Sequence, residues 1–271
     1  MNGRHIVVWL PHETTTDAVA LPAEESLCIY VNGRHLVSIA ASPVQQDVLV
    51  LGFLHYAGLI SSLDEVRELR LSKRRPEGAD GGAASIHSHC ADVWLDHEVG
   101  ELPRTWLRTS GCGSGVILGE LRELTEPLRH PILLRPEQLL EMRRTLQDHS
   151  TLYQETRGVH SSGLFTPEGE LLAIAEDIGR HNTLDKLLGQ CLEGGIVSDG
   201  MVLFTTGRIS SEMMSKAAWM RTPIVGSMTA PSSMAVALAD AWGITTAGYV
   251  RTGQIRIYTH SWRLFGETQV P

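Results

Sequence analysis

The chain has 271 residues, 42% of them hydrophobic, and a formal net charge of −8 with histidine neutral. That length fits one large domain or two tightly joined ones, and the apolar fraction is enough for an ordinary globular core. The acidic balance argues against a general nucleic-acid binder, and no apolar run approaches the length needed to cross a membrane.

In chain order, the first apolar run, Ile6-Val7-Val8-Trp9-Leu10, stops at Pro11 and is too short for a signal peptide. Residues 27–31 and 35–39 read as two strands around Asn32-Gly33, a strong short hairpin signal. Ser42-Pro43 then looks like a helix start, serine as N-cap and proline at the first position, with Gly58 as its C-cap. Residues 73–82 read as a loop whose basic triplet is a solvated turn. In Ile86-His87-Ser88-His89-Cys90, a strand would put His87 and His89 on one face and Cys90 on the other, so a polar outer face is expected there rather than a metal cluster.

Cys112 sits in Thr109-Ser110-Gly111-Cys112-Gly113-Ser114-Gly115, ahead of a helix-like run from Val116 to Leu121. Glycines leave the thiol unshielded, and a helix N-terminus would favour its thiolate. It is the best nucleophile candidate, set against the alternative of a buried small hydrophobe. The other three cysteines, Cys28, Cys90 and Cys191, are widely spread and no C-x-x-C occurs. A cytoplasmic protein with reduced thiols fits this usage.

From Pro136 onward an amphipathic helix leads into strands alternating with polar turns and helices, the pattern of a largely parallel sheet covered by helices. Ligands bind such sheets at the carboxyl ends of the strands, and the unusual polar clusters fall there. Arg180, Arg208 and Arg251 come from three strand ends and suit phosphate; Asp177 and Asp185 suit a base or a sugar hydroxyl. Ser210, Ser232 and Asn182 are either anion contacts or helix caps. His160 and His181 have site-adjacent placement and serve either in acid or metal chemistry or as hydrogen-bonded structural groups. Ordinary dinucleotide and P-loop motifs are absent, as is the zinc deaminase signature.

Several of these stretches resemble the FdhD/NarQ family of formate dehydrogenase accessory sulfurtransferases. They are Gly158-Val159-His160-Ser161, Glu176-Asp177-Ile178-Gly179-Arg180-His181-Asn182 with Asp185-Lys186, Gly207-Arg208-Ile209-Ser210-Ser211-Glu212, Ala230-Pro231-Ser232-Ser233 and Gly248-Tyr249-Val250-Arg251. The resemblance runs over residues 20–260. It implies a three-layer α/β/α, cytidine-deaminase-like core with a mixed, largely parallel sheet plus a smaller N-terminal α+β subdomain. The division expected is 1–134, ending in the Cys112 loop, and 135–271, the cofactor-binding part, either as two domains or as one continuous domain.

It further implies a homodimer that passes persulfide sulfur from a cysteine desulfurase to the molybdenum bis-guanine-dinucleotide cofactor of formate dehydrogenase. The family's cofactor segment falls on Tyr249, Val250, Arg251, Thr252, Gly253 and Gln254, where Gln254 replaces a position often basic in relatives. The family's C-x-x-C-G loop reads here as Cys112-Gly113-Ser114-Gly115, with Gly115 in place of the second cysteine. One thiolate is chemically sufficient to accept and release a sulfane sulfur. The alternatives are a cofactor-binding chaperone without sulfur chemistry and a hydrolase or transferase acting on a nucleotide.

Overall fold

The computed structural model describes residues 4–10, 13–74, 88–100, 106–108, 116–118, 124 and 126–265. A hairpin, β1 (Arg4–Leu10) and β2 (Glu13–Val19), precedes a second one, β3 (Glu25–Val31) and β4 (Arg34–Ala41). Asn32 and Gly33 both take positive φ, 47° and 77°, as the Asn-Gly turn requires. Helix α1 (Gln46–Ala57) follows and ends at Gly58 with φ 74°. Strands β5 (Val66–Arg74) and β6 (Ser88–Leu95) then complete a four-stranded sheet ordered β4-β3-β6-β5. Leu27, Ile29, Ala91 and Val93 on one face of this sheet bury Leu49, Phe53 and Leu54 of α1.

Two expectations in this half are corrected. Helix α1 begins at Gln46 after Gln45, which takes φ 52°, and Ser42 does not cap it. Instead the Ser42 N–H donates to Asp177 Oδ2 at 3.1 Å and its hydroxyl accepts from the Ile178 N–H at 3.0 Å. The run after the Cys112 loop also starts as a strand and not as a helix: β7 (Trp106–Arg108) pairs antiparallel with β8 (Val116–Leu118). Val116 and Ile117 are β-branched and fit a strand better than a first helical turn. Cys112 and His87 lie outside the described residues.

The second half opens with α2 (Pro136–His149) and α3 (Thr151–Thr156). Then come β9 (His160–Phe165), β10 (Leu171–Asp177), α4 (Arg180–Gly194), β11 (Val202–Thr205) and α5 (Ser211–Trp219). β12 (Ile224–Ser227), α6 (Ser233–Ala241), β13 (Thr245–Arg251), β14 (Gln254–Thr259) and α7 (Trp262–Phe265) finish it. Its six strands are ordered β10-β9-β11-β12-β13-β14. The sheet is mixed, as expected, but only β11–β12 and β12–β13 are parallel, so "largely parallel" is corrected. Short turns join β9 to β10 and β13 to β14, and a short turn can join only antiparallel strands; the crossovers through α5 and α6 give the parallel pairs.

Helices α4, α5 and α6 cover one face, where Leu184, Leu187, Met213, Met214 and Ala235 pack on Leu203 and Val225. Helix α2 covers the other, with Leu139, Met142 and Leu146 against Phe165, Phe204 and Ile224. This is a three-layer α/β/α arrangement. Residues 126–134 belong to it as well: the Leu128 N–H donates to Trp242 O and the Leu134 N–H to Arg263 O, each at 2.8 Å. No described helix is long and apolar enough to cross a membrane.

Candidate functional site

The strand directions gather the polar clusters at one edge of the six-stranded sheet. Because β9 runs antiparallel to both neighbours, its first residue, His160, pairs with Asp177 at the end of β10, and Ser162 pairs with Thr205 at the end of β11. Buried hydroxyls fix the turns there. Ser162 Oγ lies 2.7 Å from Thr183 Oγ1 and donates to Thr205 Oγ1 at 2.9 Å. Thr205 Oγ1 accepts from the Gly207 N–H at 3.1 Å, and Ser227 Oγ donates to Gly207 O at 2.7 Å. A Cβ on Gly207 would come within 2.9 Å of Arg180 Cβ and 3.5 Å of the His160 ring, so only glycine lets these three meet.

Above this floor lies a cleft of about 710 Å³. His160, Thr206, Thr229, Arg251 and Thr252 line it from the strand ends, together with Arg143 of α2 and Arg157 beyond α3. The Nε of Arg143 is buried and has no hydrogen-bond partner among the described residues. Arg157, the C-cap of α3, takes φ 54° and lays its guanidinium 5.3 Å from the centre of the Tyr153 ring. Helix α3 is itself anchored, since Glu176 accepts from the Leu152 and Tyr153 N–H groups at 2.9 and 2.8 Å. Burial, then Arg180 and Arg208, push the pKa of His160 down, so the imidazole facing the cleft is neutral at neutral pH.

The cofactor segment divides. Arg251 and Thr252 reach the cleft, and the Arg251 and Arg256 guanidiniums lie 5.5 and 4.4 Å from the centre of the Tyr249 ring. Tyr249 takes φ 49° and Gly253 φ 85°; Gly253 and Gln254 are exposed at the β13–β14 turn. The side chain of Val250 is fully buried in the core and offers a ligand only backbone. Arg208 is exposed on the loop ahead of α5, close enough for its charge to act on His160.

Other expected ligands lie beneath the floor. Asp177 is fully buried: it pairs with Lys186 Nζ at 2.7 Å and accepts from Ser42, Gly179 and Asn182. It therefore holds the loop and the N-terminal half together and does not face the cleft. Helix α4 begins at Arg180, so Arg180, His181 and Asn182 form its first turn, each only 4% exposed. Ser210 and Ser232 are caps, accepting from the Met213 and Ala235 N–H groups at 3.3 and 3.2 Å. His181 Nε2 lies 3.0 Å from Ser210 Oγ, and burial, with Lys216 and Arg180, pushes its pKa down to about 2. Asp185 pairs with Lys216 at 2.7 Å, and burial raises its carboxyl to about 6. In the N-terminal half, His89 Nδ1 is 3.0 Å from Glu25 and 2.6 Å from Gln46 Oε1.

The sequence reading missed Arg143, Arg157 and Thr229. The signal for the first was present: Arg143 is followed by Leu146 on the α2 face that packs on the sheet, an odd place for a charge that serves only solubility.

The model of the FdhD/NarQ family matches residues 22–265. A sulfur carrier protein FdhD from Nocardia farcinica is 35% identical over 249 residues, covering 90% of this chain and 88% of the relative. One from Thermoplasma acidophilum is 34% identical over 259 residues, covering 92% and 87%. Among solved structures, a putative formate dehydrogenase accessory protein from Desulfotalea psychrophila superposes with a TM-score of 0.71 at 26% identity, covering 97% of this chain and all of that one. The arginine-lined strand-end cleft of this chain thus stands on the fold of that solved structure, and the chain belongs to the FdhD/NarQ family.

Proposed function

We propose that this chain is a sulfur carrier for formate dehydrogenase, working in the cytoplasm as a homodimer. It takes persulfide sulfur from a cysteine desulfurase and delivers it to the molybdenum bis-guanine-dinucleotide cofactor before that cofactor enters the catalytic subunit. The observation that carries the reading is a cleft lined by Arg143, Arg157 and Arg251. Guanidiniums suit pyrophosphate because they hold its oxygens bidentately and stay charged. Thr206, Thr229 and Thr252 add neutral polar contacts, and the neutral His160 can donate or accept without adding charge. The names of the relatives support the sulfur-carrying half.

In that half the Cys112 thiolate attacks the outer sulfur of the donor persulfide; the donor cysteine leaves as thiolate, and Cys112 keeps the sulfane sulfur. When an acceptor that supplies an electron pair takes the sulfane sulfur, the Cys112–S bond breaks and Cys112 leaves as thiolate, so the carrier itself undergoes no net redox change. A second reading is favoured by Gly115 at the position of the loop's second cysteine: a chaperone that binds the cofactor and transfers no sulfur.

One experiment separates the two. After incubation with a cysteine desulfurase and cysteine, wild type is expected to gain about 32 Da at Cys112, removable by reductant, and Cys112→Ala is not. Both should bind guanosine diphosphate by calorimetry. Arg251→Ala should bind it about tenfold to a hundredfold more weakly, the weight of a charge-assisted hydrogen bond, with unchanged circular dichroism. Unloaded wild type that still binds the nucleotide would establish the chaperone, and unchanged affinity in Arg251→Ala would remove the cleft from the reading.

A further inference from the structure

Strands β3 and β6 run parallel in unbroken register from Ser26 against Ser88 to Val31 against Val93, which seats Cys28 directly beside Cys90. Leu27, Ile29, Val31, Ala91 and Val93 occupy the core face, so both thiols lie on the opposite face of the sheet. The row continues to either side, with Ser38 paired to Cys28 across β3–β4 and Ser72 paired to Cys90 across β5–β6. Ser38 Oγ donates to Cys28 Sγ at 3.3 Å. Ser72 Oγ is buried and has no hydrogen-bond partner among the described residues. Two thiols flanked by two hydroxyls thus form one row across four strands.

We propose that Cys28 and Cys90 are a redox-active dithiol that closes into a reversible intrachain disulfide. In-register strand neighbours stand about 4.8 Å apart, inside the roughly 4.4–6.8 Å that disulfides span between Cα atoms. Closure must also bring the Cβ atoms to about 3.8 Å, which strains the ladder and makes the bond easy to reduce. The two thiols have different access. Cys28 is half-buried and can meet a reagent; Cys90 is 4% exposed, so a reagent reaches Cys28 first. With a small-molecule disulfide as oxidant, the Cys28 thiolate attacks one sulfur and expels the other as thiolate. Cys90 then gives up its proton and attacks the Cys28 sulfur, expelling the second thiol. Two chain thiols are oxidised, and one oxidant disulfide is reduced to two thiols. Cys191 is no competitor, because burial pushes its thiol up to about 11.

The test equilibrates the full chain, as wild type and as Cys112→Ser, with excess oxidised glutathione, then alkylates and maps peptides. In both chains the Cys28 and Cys90 peptides are expected to be joined, two hydrogens lighter than the separate thiols, and released by dithiothreitol. Cys90→Ser should keep a glutathione adduct on Cys28, and Cys28→Ser should leave Cys90 a thiol. Recovery of Cys28 and Cys90 both alkylated would overturn the proposal, as would a glutathione adduct on Cys28 that survives with Cys90 present, or a Cys28–Cys112 link in wild type. The wild-type measurement involves no substitution, so a variant that folds poorly cannot obscure the result.

Discussion

His181 is held neutral beneath the cleft by its burial and by Lys216 and Arg180, which together take its pKa from 6.5 to about 2. An imidazole depressed in this way stabilises the fold above its unfolded value and gives up that stability as pH falls from 6.5 toward 2. The slope is about 1.4 kcal/mol per pH unit. His160 acts in the same sense. Asp185 opposes them: its carboxyl is raised from 3.8 to about 6, so its contribution is present below 3.8 and lost as pH rises through 6. The net slope of wild type mixes these, but His181→Gln isolates one of them while keeping a polar partner for Ser210. Between pH 7 and pH 5, wild type should lose about 2 kcal/mol of stability relative to His181→Gln, read from urea midpoints. A constant difference over that range would mean that His181 gains its proton equally in the folded and unfolded chains.

Helices α1 and α4 meet at a pair of glycines. A Cβ added to Gly52 would run into the carbonyl of Asp185, and one added to Gly189 into the carbonyl of Val48. The two backbones therefore touch where they cross, and neither has a flexible side chain that could yield. Gly52→Val should lower stability by about 3 kcal/mol or more, at or beyond the usual range for overpacking, measured as a lower urea midpoint with the cleft residues untouched. An unchanged midpoint would mean that the helices can separate at no cost. Elements of this kind were legible in the sequence only in part. The Asn32-Gly33 hairpin, the Gly58 stop, the Ser210 and Ser232 caps and the order of strands and helices from β9 to β14 could be read because each rests on chemistry within a few residues. The reading of Ser42 as a cap failed because its partners, Asp177 and Ile178, are distant in sequence. Asp177 looked like a ligand for the same reason: a carboxylate saturated by Lys186, Ser42, Gly179 and Asn182 reads no differently from one awaiting a sugar. Arg143, Arg157 and Arg251 are far apart in sequence and line one cleft only in the fold. The adjacency of Cys28 and Cys90 depends on a parallel register that no local pattern encodes.

Across the whole molecule the two halves share side chains as well as a boundary. Tyr56 of α1 lies in the core under α4 and α5, and its hydroxyl donates to Ser215 at 2.8 Å. Arg263, fully buried in the last helix, donates to Leu128 O at 3.1 Å and to Gly243 O at 2.8 Å, tying residues 126–134 to the C-terminal sheet. Thermal unfolding followed by tryptophan fluorescence and by far-ultraviolet circular dichroism should therefore give one coincident transition. Two separate midpoints would show that the halves melt independently. The glycine crossing also sets a rule for recombination among relatives. A chimera that takes its first sheet from one parent and its second from another inherits one face of the α1–α4 contact from each. Such a hybrid should fold only where both donors kept a glycine at that point, whatever their overall identity. Breakpoints placed between the halves, which look harmless on an alignment, are then the ones that split a matched pair.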